Sequence, residues 1–511
     1  MGKLNTIGRA LLVSSIVLAG SGHAFADSLS DSIEQFLADT DKTIEDTKIW
    51  KIHVRPALTE SVIWTDNVFL NDRGEKALSL QRILTPSGQS ISFSPKRARA
   101  IERRLLPDSG KIGREDDFII RSKLDLDFEI PVNPEVSRVF DDVDSITVLS
   151  AEVSNQEYLD LNELDNTSFT LGTDLFGFVG DLIDFQAGNR IWVRGRNEFS
   201  RVTDPLDATF RFLARDGIGT ISTFRDFERD ENTANLDIGY EGGRVNAEVG
   251  YTNYSLELED NEFQTAGHSR HTWHAEADAE LPFWAEKRGY VRYDFSLYKF
   301  DRAPVLSRRG TVLRHEKSLN DADVHRAVVG VKGLMFSQKL RGQVEAGYLT
   351  WDPRSDSTSG DTTSYNGIVG RAKLAYKPFE ERKTQFQFSY DRVLGYSSIS
   401  NFNASHQVLV SVIHDIVPKR WDFDGSVSFV RTEPSDGPTR NLYELGLGVV
   451  YHVFPQMDLS FRYLGRYQES SDEIAIRSAF GRANGSTVFY ELQSDGDFYQ
   501  NILELGLTLH F

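Results

Sequence analysis

The sequence predicts an all-β fold, a transmembrane, antiparallel up-and-down β-barrel of about 18 strands, with about 16 to 20 as the allowed range. Three observations support this prediction. Apolar and polar residues alternate over many runs of strand length, no apolar run is long enough for a membrane-spanning helix, and short connections alternate with long ones. One large barrel over residues 51–511 explains this pattern better than several smaller domains.

The first 26 residues have the pattern of a secretory signal peptide. Lys3 and Arg9 accompany a short apolar run, ALLVSSIVLAG, and residues 24–26 form an A-x-A cleavage site, so we expect the mature chain to begin near Asp27. Residues 27–50 are predicted to be a periplasmic segment with a short helix over 31–49. Export followed by strands predicts the cell outer membrane as the location.

The composition narrows the classes of partner. Removing the leader removes two positive charges, so 55 basic residues face 76 acidic ones in the mature chain, a formal charge of −21. This balance argues against a nucleic-acid partner, which would favour a basic face. The chain has no cysteine, so it has neither disulfides nor thiolate metal ligands. Its mean hydropathy of −0.38 fits a soluble protein and a barrel equally well.

Alternation is clearest in FIIRSKLDLDFEI, residues 118–130, where one face is apolar and the other is charged with both signs. Each such run is close to the ~9–11 residues that a tilted strand needs to cross a bilayer. The charged face suits a water-filled interior. The same alternation appears in WHAEADAEL (273–281), LRGQVEAGY (340–348), TQFQFSY (384–390), WDFDGSVSF (421–429), YELGLGVVY (443–451) and MDLSFRY (457–463).

The connections are expected to alternate in length, with short periplasmic turns and long outer loops. Short ones are predicted at 242–243, 377–382, 417–420 and 454–456. Long ones are predicted at 255–270, 300–323, 352–365, 395–404 and 432–439. A soluble β-sandwich has no physical reason to alternate short and long connections.

The rule also sets the strand count. If both termini are periplasmic, a final strand over 498–511 must run toward the periplasm and must follow an outer loop. TVFYEL (487–492) is therefore predicted to be a hairpin arm within one outer loop, 469–497. Thirteen strands then extend back to Asn235. Seven further candidates lie upstream, of which two are weak, and this leads to 18 strands. The candidates are 51–66, 118–130, 145–158, 166–176 (weak), 189–202, 207–215 (weak) and 219–227.

The last strand is predicted to close the barrel by pairing with the first, which removes both sheet edges. Its apolar residues occupy every second position and end on an aromatic residue: Leu503, Leu505, Leu507, Leu509 and Phe511. This pattern resembles the assembly signal of Gram-negative outer-membrane barrels. The resemblance implies the barrel-assembly machinery, outer-membrane lipid and lipopolysaccharide as partners.

A second resemblance lies in HVRPALTESVIWTDNVFLN, residues 53–71, between Pro56 and Phe69. This stretch is similar to the entry strand of the β-barrel porin family found in exopolysaccharide gene clusters. The resemblance implies an outer-membrane location and a polymer-related role, and it implies no functional site.

The first outer loop, residues 70–117, is far longer than most loops in compact proteins. It carries a basic cluster on a predicted short helix at 94–107: Lys96, Arg97, Arg99, Arg103 and Arg104. One hypothesis is that this loop plugs or narrows the lumen, or contacts an anionic polymer through its guanidinium groups. The alternative is a solvated outer loop that meets lipopolysaccharide.

Six basic residues with inward parity are further candidates for lining the lumen or its constriction: Arg194, Arg196, Arg292, Arg341, Arg371 and Lys373. Opposed rings of charge in a pore wall tune what passes. A polar lumen also needs charges simply to stay hydrated, and this simpler interpretation stays open.

Metal-dependent and enzymatic functions have weaker support. His268, His271 and His274 lie close in sequence, but the last two should point to opposite faces of a strand, so no metal site and no cofactor are predicted. The sequence contains neither G-x-S-x-G nor H-E-x-x-H, and His406 lacks an identifiable orienting acid, so the chain is predicted not to be an enzyme.

Taken together, the sequence predicts an outer-membrane channel or conduit for a small hydrophilic solute or a polysaccharide, with a link to exopolysaccharide export. The alternatives are a non-conducting scaffold that binds surface polymer and a barrel hydrolase.

Overall fold

The computed structural model describes residues 53–66, 79–84, 116–131, 146–159, 165–178, 190–202, 229–258, 268–281, 287–300, 304–306, 312–315, 321–335, 339–354, 363–379, 383–395, 402–435, 439–471, 474–483, 486–494 and 497–511. The predicted signal peptide and the predicted periplasmic helix lie outside these residues. Every regular element among the described residues is a strand. The described part contains no helix with the length and apolar character needed to cross a membrane.

The strands are β1 (His53–Thr65), β2 (Ser79–Leu84), β3 (Asp117–Pro131), β4 (Ile146–Tyr158), β5 (Asn166–Phe178), β6 (Arg190–Val202), β7 (Arg229–Glu241), β8 (Val245–Leu258), β9 (His268–Glu280), β10 (Lys287–Phe300), β11 (Pro304–Leu306), β12 (Val312–His315), β13 (Ala322–Leu334), β14 (Leu340–Pro353), β15 (Tyr365–Tyr376), β16 (Gln385–Gly395), β17 (Asn403–Val417), β18 (Trp421–Pro434), β19 (Arg440–Phe454), β20 (Met457–Ser470), β21 (Ile474–Ala483), β22 (Ser486–Ser494) and β23 (Phe498–His510).

Eighteen of these strands form one closed antiparallel sheet, which confirms the predicted barrel and its strand count. Each barrel strand pairs with the next one along the chain, from β1 and β3 through to β20 and β23. The closing strand β23 pairs with β1 from Ala57↔His510 to Thr65↔Ile502, as predicted. Closure satisfies both edges of the sheet, so no barrel strand is left as an open edge.

The upstream candidates resolve as follows. The weak candidate 166–176 is a full barrel strand, β5. The candidates 207–215 and 219–227 lie outside the described residues, and the strands that flank them, β6 and β7, pair directly with each other. Residues 487–492 belong to β22, which forms a hairpin with β21 while β20 pairs with β23, so the predicted hairpin arm is confirmed.

The expected alternation of connection lengths holds from β7 onward, except that the connection 377–384 is longer than the next one, 396–402. Short turns join β7 to β8, β17 to β18 and β19 to β20 at one end of the barrel, the turn end, which also carries Phe511. The prediction is wrong upstream, because the turn-end connections 132–145 and 179–189 are longer than the loop-end connection 159–165. In the 417–420 turn Lys419 adopts φ 65°, in the left-handed region.

The two faces of the barrel wall differ in chemistry. Lys332 in β13 reaches Glu276 in β9 at 2.7 Å across β10, and Tyr290 in β10 reaches Glu345 in β14 at 2.5 Å across β13. Strands two apart are separated by ~10 Å, so such contacts form only where side chains converge, on the concave face. The polar face is therefore the interior, and the opposite face presents exposed apolar side chains.

Aromatic rings mark both ends of the outward apolar face. At the turn end, Trp421 and Tyr451 stack with ring centroids 4.4 Å apart. At the opposite end, the loop end, Tyr443 and Tyr467 stack at 6.0 Å. An apolar band between two aromatic girdles is the outer surface of a transmembrane barrel.

Inside the barrel, toward the loop end, lies an apolar cluster centred on the fully buried Trp351. Tyr298 packs on Trp351 with ring centroids 4.8 Å apart, and Phe402 packs on it at 6.1 Å. Two small sheets accompany the barrel, a β11–β12 hairpin and a three-stranded sheet in the order β2–β22–β21. Part of the long first loop is thus tied to the hairpin before the closing strand.

Candidate lumenal charge network

A network of ion pairs and hydrogen bonds lines the inner wall from β5 to β16. Its members alternate along each strand with the outward apolar residues, as a period of two requires. We call it the inner-wall network: Asp174, Arg194, Arg196, Asp237, Glu248, His274, Glu276, Asp278, Arg288, Tyr290, Arg292, Asp294, Arg326, Lys332, Gln343, Glu345, Arg371 and Asp391.

Glu345 is its most buried carboxylate, with a side chain that is 2% exposed. It pairs with the guanidinium of Arg326, accepts a hydrogen bond from Tyr290 Oη at 2.5 Å and another from Gln343 Nε2 at 3.3 Å. Tyr290 reaches it by lying over Gly330, where an added Cβ would stand 2.6 Å from the tyrosine ring. A glycine on the intervening strand therefore permits this contact.

The middle of the network combines charges of both signs. Asp294 accepts from Arg292 Nε at 2.8 Å and from Arg326 Nη1 at 3.0 Å. Lys332 Nζ lies 2.7 Å from Glu276 and 3.0 Å from Asp278. Since each charge here has an opposite neighbour on the adjoining strands, the wall offers oriented charges to the lumen without a large local excess of one sign.

Toward β5 the network ends in two smaller groups. Arg194 binds Asp174, with Nε 2.9 Å from Oδ1, and Arg196 Nε lies 3.9 Å from the same carboxylate. His274 Nε2 lies 3.0 Å from Glu248 Oε1 and 3.5 Å from Asp237 Oδ1. These residues come from five successive strands, β5 to β9.

Further ionic groups lie elsewhere on the inner face of the described wall, and two of them lie on β3–β4 and near the turn end. Lys123 Nζ is 3.1 Å from both Asp125 and Glu152, on β3 and β4. Near the turn end, His452 lies 2.7 Å from Asp458 and 3.2 Å from Asp422. Both groups show that mixed charge continues around the wall.

The predicted lumen residues fall into three sets. Arg194, Arg196, Arg292 and Arg371 belong to the network, and Arg371 Nε lies 2.8 Å from Asp391. Arg341 and Lys373 share the inner face through the register of β14 and β15, and neither forms an ion pair with another described residue. The basic cluster on the first loop lies outside the described residues: Lys96, Arg97, Arg99, Arg103 and Arg104. A role for any of them in constriction stays a prediction.

The apolar residues of the closing strand share the outward face. Leu505 is among the most exposed apolar side chains of the wall, whereas Leu509 is buried beside its register partner Leu58. The backbone N–H of Phe511 donates to Pro56 O at 3.0 Å, so the chain end is held against the first strand.

The histidines follow the expected parity. His271 faces outward, with Nδ1 2.7 Å from Tyr251 Oη, and His274 faces inward. His406 on β17 faces outward as well, and its Nδ1 lies 3.1 Å from Tyr390 Oη on β16. Sequence reasoning missed the partners of His274, because they lie one and two strands away. Inward parity alone would have placed Asp237 and Glu248 on the same face.

No protein-family model matches this sequence, and no curated protein matches it either. Solved structures with a similar outline exist. The FrpB iron transporter from Neisseria meningitidis is 9% identical over 89% of this chain and 82% of its own, with a TM-score of 0.36. The alcaligin outer-membrane receptor FauA from Bordetella pertussis is 10% identical over 90% of this chain and 76% of its own, with a TM-score of 0.34.

A ferric enterobactin receptor mutant, PfeA from Pseudomonas aeruginosa, is 7% identical over 89% of this chain and 80% of its own, with a TM-score of 0.35. These likenesses are too weak to assign a family or a function to this protein.

Proposed function

We propose that this protein is an outer-membrane conduit that lets a hydrophilic solute pass through the barrel. The observation that carries the proposal is the contrast between the two faces of one closed sheet. The outer face is apolar between aromatic girdles, and the inner face carries the inner-wall network. A polar interior and an apolar exterior are the arrangement in which water and solute pass inside while lipid contacts the outside.

The width of the barrel supports passage. Eighteen strands, spaced by ~4.8 Å and tilted by ~40°, close a cylinder about 36 Å across between backbone centres. Barrels of about this strand number leave room for an aqueous channel after the side chains are placed. The strand number therefore favours a conduit over a barrel filled only by its own wall.

The solute class rests on a narrower argument. The resemblance of residues 56–69 to porins of exopolysaccharide gene clusters favours a polysaccharide or oligosaccharide. Paired charges on the wall, such as Lys332 and Glu276, are groups that hydrogen-bond sugar hydroxyls and carboxylates.

The test is single-channel conductance of the refolded mature protein in a planar bilayer, with and without acidic and neutral oligosaccharides. We expect stable openings that one class of sugar blocks. Heat-modifiable gel mobility of the same sample serves as the control for folding. A folded barrel that neither conducts nor releases trapped solute from proteoliposomes would refute the conduit and favour the surface scaffold.

The first loop, 70–117, is proposed to narrow this conduit. Deleting 75–112 would also remove β2, which pairs with β22, so a gentler variant is needed. Replacing the five basic residues of 94–107 with glutamine keeps the chain length and should raise conductance or change ion selectivity. Unchanged conductance and selectivity in this variant would remove the loop from the mechanism.

A further inference from the structure

We propose that the inner wall holds a binding site for one divalent transition-metal ion, formed by Asp237, Glu248 and His274. These residues stand on three adjacent strands, β7, β8 and β9, and all face the lumen. Their donor atoms lie within 4.8 Å of one another. No other group of three or more such ligands was found among the described residues.

The spacing matches that of ligands around a small cation. His274 Nε2 is 3.0 Å from Glu248 Oε1 and 3.5 Å from Asp237 Oδ1. Ligands at ~2.0–2.1 Å from a tetrahedral zinc ion stand ~3.3 Å apart, between these two values. The separations of His274 from the two carboxylates could therefore become ligand–ligand separations with shifts of a few tenths of an ångström.

Asp237 supplies an independent reason to expect a cation. This residue is only 7% exposed, and its Oδ1 accepts no hydrogen bond from a described residue. A buried acceptor left unsatisfied costs ~1–3 kcal/mol, more when charged, so its presence calls for a partner such as an ion. That oxygen lies 3.5 Å from His274 Nε2.

Gly250 leaves room for the Asp237 and His274 side chains to approach each other. It lies on β8 between Asp237 and His274, as the register partner of both. An added Cβ at Gly250 would collide with the Asp237 carboxylate and stand 2.7 Å from His274 Nε2. Any side chain there would fill the position between the ligands.

The surrounding charges do not displace a cation. The guanidinium groups on the neighbouring strands already have partners of their own, since Arg194 and Arg196 lie against Asp174 and Arg292 binds Asp294. Two carboxylates would balance the charge of a divalent ion. One imidazole nitrogen with two carboxylate oxygens suits first-row divalent ions such as Zn²⁺ or Co²⁺. Glu248, with a side chain 35% exposed, leaves the open coordination position toward the lumen.

The test uses the full mature barrel, folded in detergent and stripped with a chelator, titrated with Co²⁺ and followed by its visible absorption. Zn²⁺ competition then gives the affinity. We expect one equivalent to bind, and we expect His274→Gln to weaken binding on the order of 100-fold through loss of a direct ligand. His271→Gln is the matched control, because this neighbour on the same strand faces outward.

Two further variants keep the proposal falsifiable if His274→Gln fails to fold. Glu248→Gln alters the most exposed ligand, and Gly250→Val leaves all three ligands present but fills the space between them. Glu248→Gln should weaken Co²⁺ binding, and Gly250→Val should abolish the Co²⁺ absorption. Equal binding by folded wild type and these variants, or several weak equivalents in all of them, would overturn the site. The readout is equilibrium binding, so it is independent of conductance.

Discussion

Removing one cation from the inner-wall network should expose the cost of an uncompensated buried charge. The chosen change is Arg326→Met, which keeps most of the aliphatic stem and removes the guanidinium. Glu345, with a side chain that is 2% exposed, then keeps only the neutral donors Tyr290 and Gln343. Asp294 keeps Arg292 at 2.8 Å, so the damage is confined to one carboxylate.

The size of the effect follows from burial. Breaking a buried ion pair by removing one partner costs ~3–5 kcal/mol. Two neutral hydrogen bonds remain on Glu345, so we expect the lower limit, a loss of about 3 kcal/mol in the free energy of unfolding. Replacing both partners, Arg326→Met with Glu345→Gln, removes the stranded charge and should return the barrel to within ~1 kcal/mol of wild type.

The measurement is denaturant unfolding and refolding of the barrel in detergent micelles, followed by tryptophan fluorescence and heat-modifiable gel mobility. Arg341→Met is the matched control, since Arg341 shares the inner face and forms no ion pair with another described residue. It should change the free energy by no more than ~0.5 kcal/mol. A loss below ~1 kcal/mol for Arg326→Met, or a double variant as unstable as the single one, would refute the reasoning.

Three further predictions test the wall, the seam and the lumen. Val410 (49% exposed) and Leu409 (38% exposed) are adjacent on β17 but face lipid and lumen respectively. Val410→Arg should therefore cost ~2–4 kcal/mol of folding free energy in liposomes, and Leu409→Arg should cost much less. Equal costs would contradict the assignment of the faces. Asp66→Ala removes two hydrogen bonds, at 2.6 and 2.7 Å, that join the end of β1 to Asn501 on the closing strand. It should lower the free energy of unfolding by roughly 2 kcal/mol, and Asp66→Asn should have an intermediate effect. Identical unfolding of wild type and both variants would argue against this seam contact. Replacing Arg341 and Lys373 together with glutamine should shift the reversal potential in a salt gradient toward cation preference while leaving folding unchanged, and an unaltered reversal potential would place both residues outside the ion path.

Much of the fold could be predicted from the sequence because a strand has a side-chain period of two. In 118–130 and 273–281, the alternation alone identifies which residues face inward, and the register of β3 and β9 confirms it. The closing strand was predictable for the same reason. The rule that short turns alternate with long loops was less general, because the closure of the sheet sets no limit on the length of a connection at either end of the barrel.

The partners within the inner wall could not be predicted in the same way. Glu345 was identifiable as an inward residue, but its contacts with Arg326 and Tyr290 depend on the register of three strands. His274 appeared in the sequence as part of a local histidine cluster, and its partners Asp237 and Glu248 come from other strands. Gly250 and Gly330 carry no signal until the side chains that cross them are known.

By itself, the sequence determined an all-β barrel, its strand count, its closure by the last strand and the face to which each strand residue belongs. The face of each residue is a local property, since it follows from alternation along one strand, whereas the strand count and the closure followed from where the runs and connections fall along the chain. Only the tertiary structure decided which inward charges meet, which carboxylate is buried and which glycines let side chains cross a strand. Those properties depend on the register between strands and on the curvature that brings side chains together on the concave face.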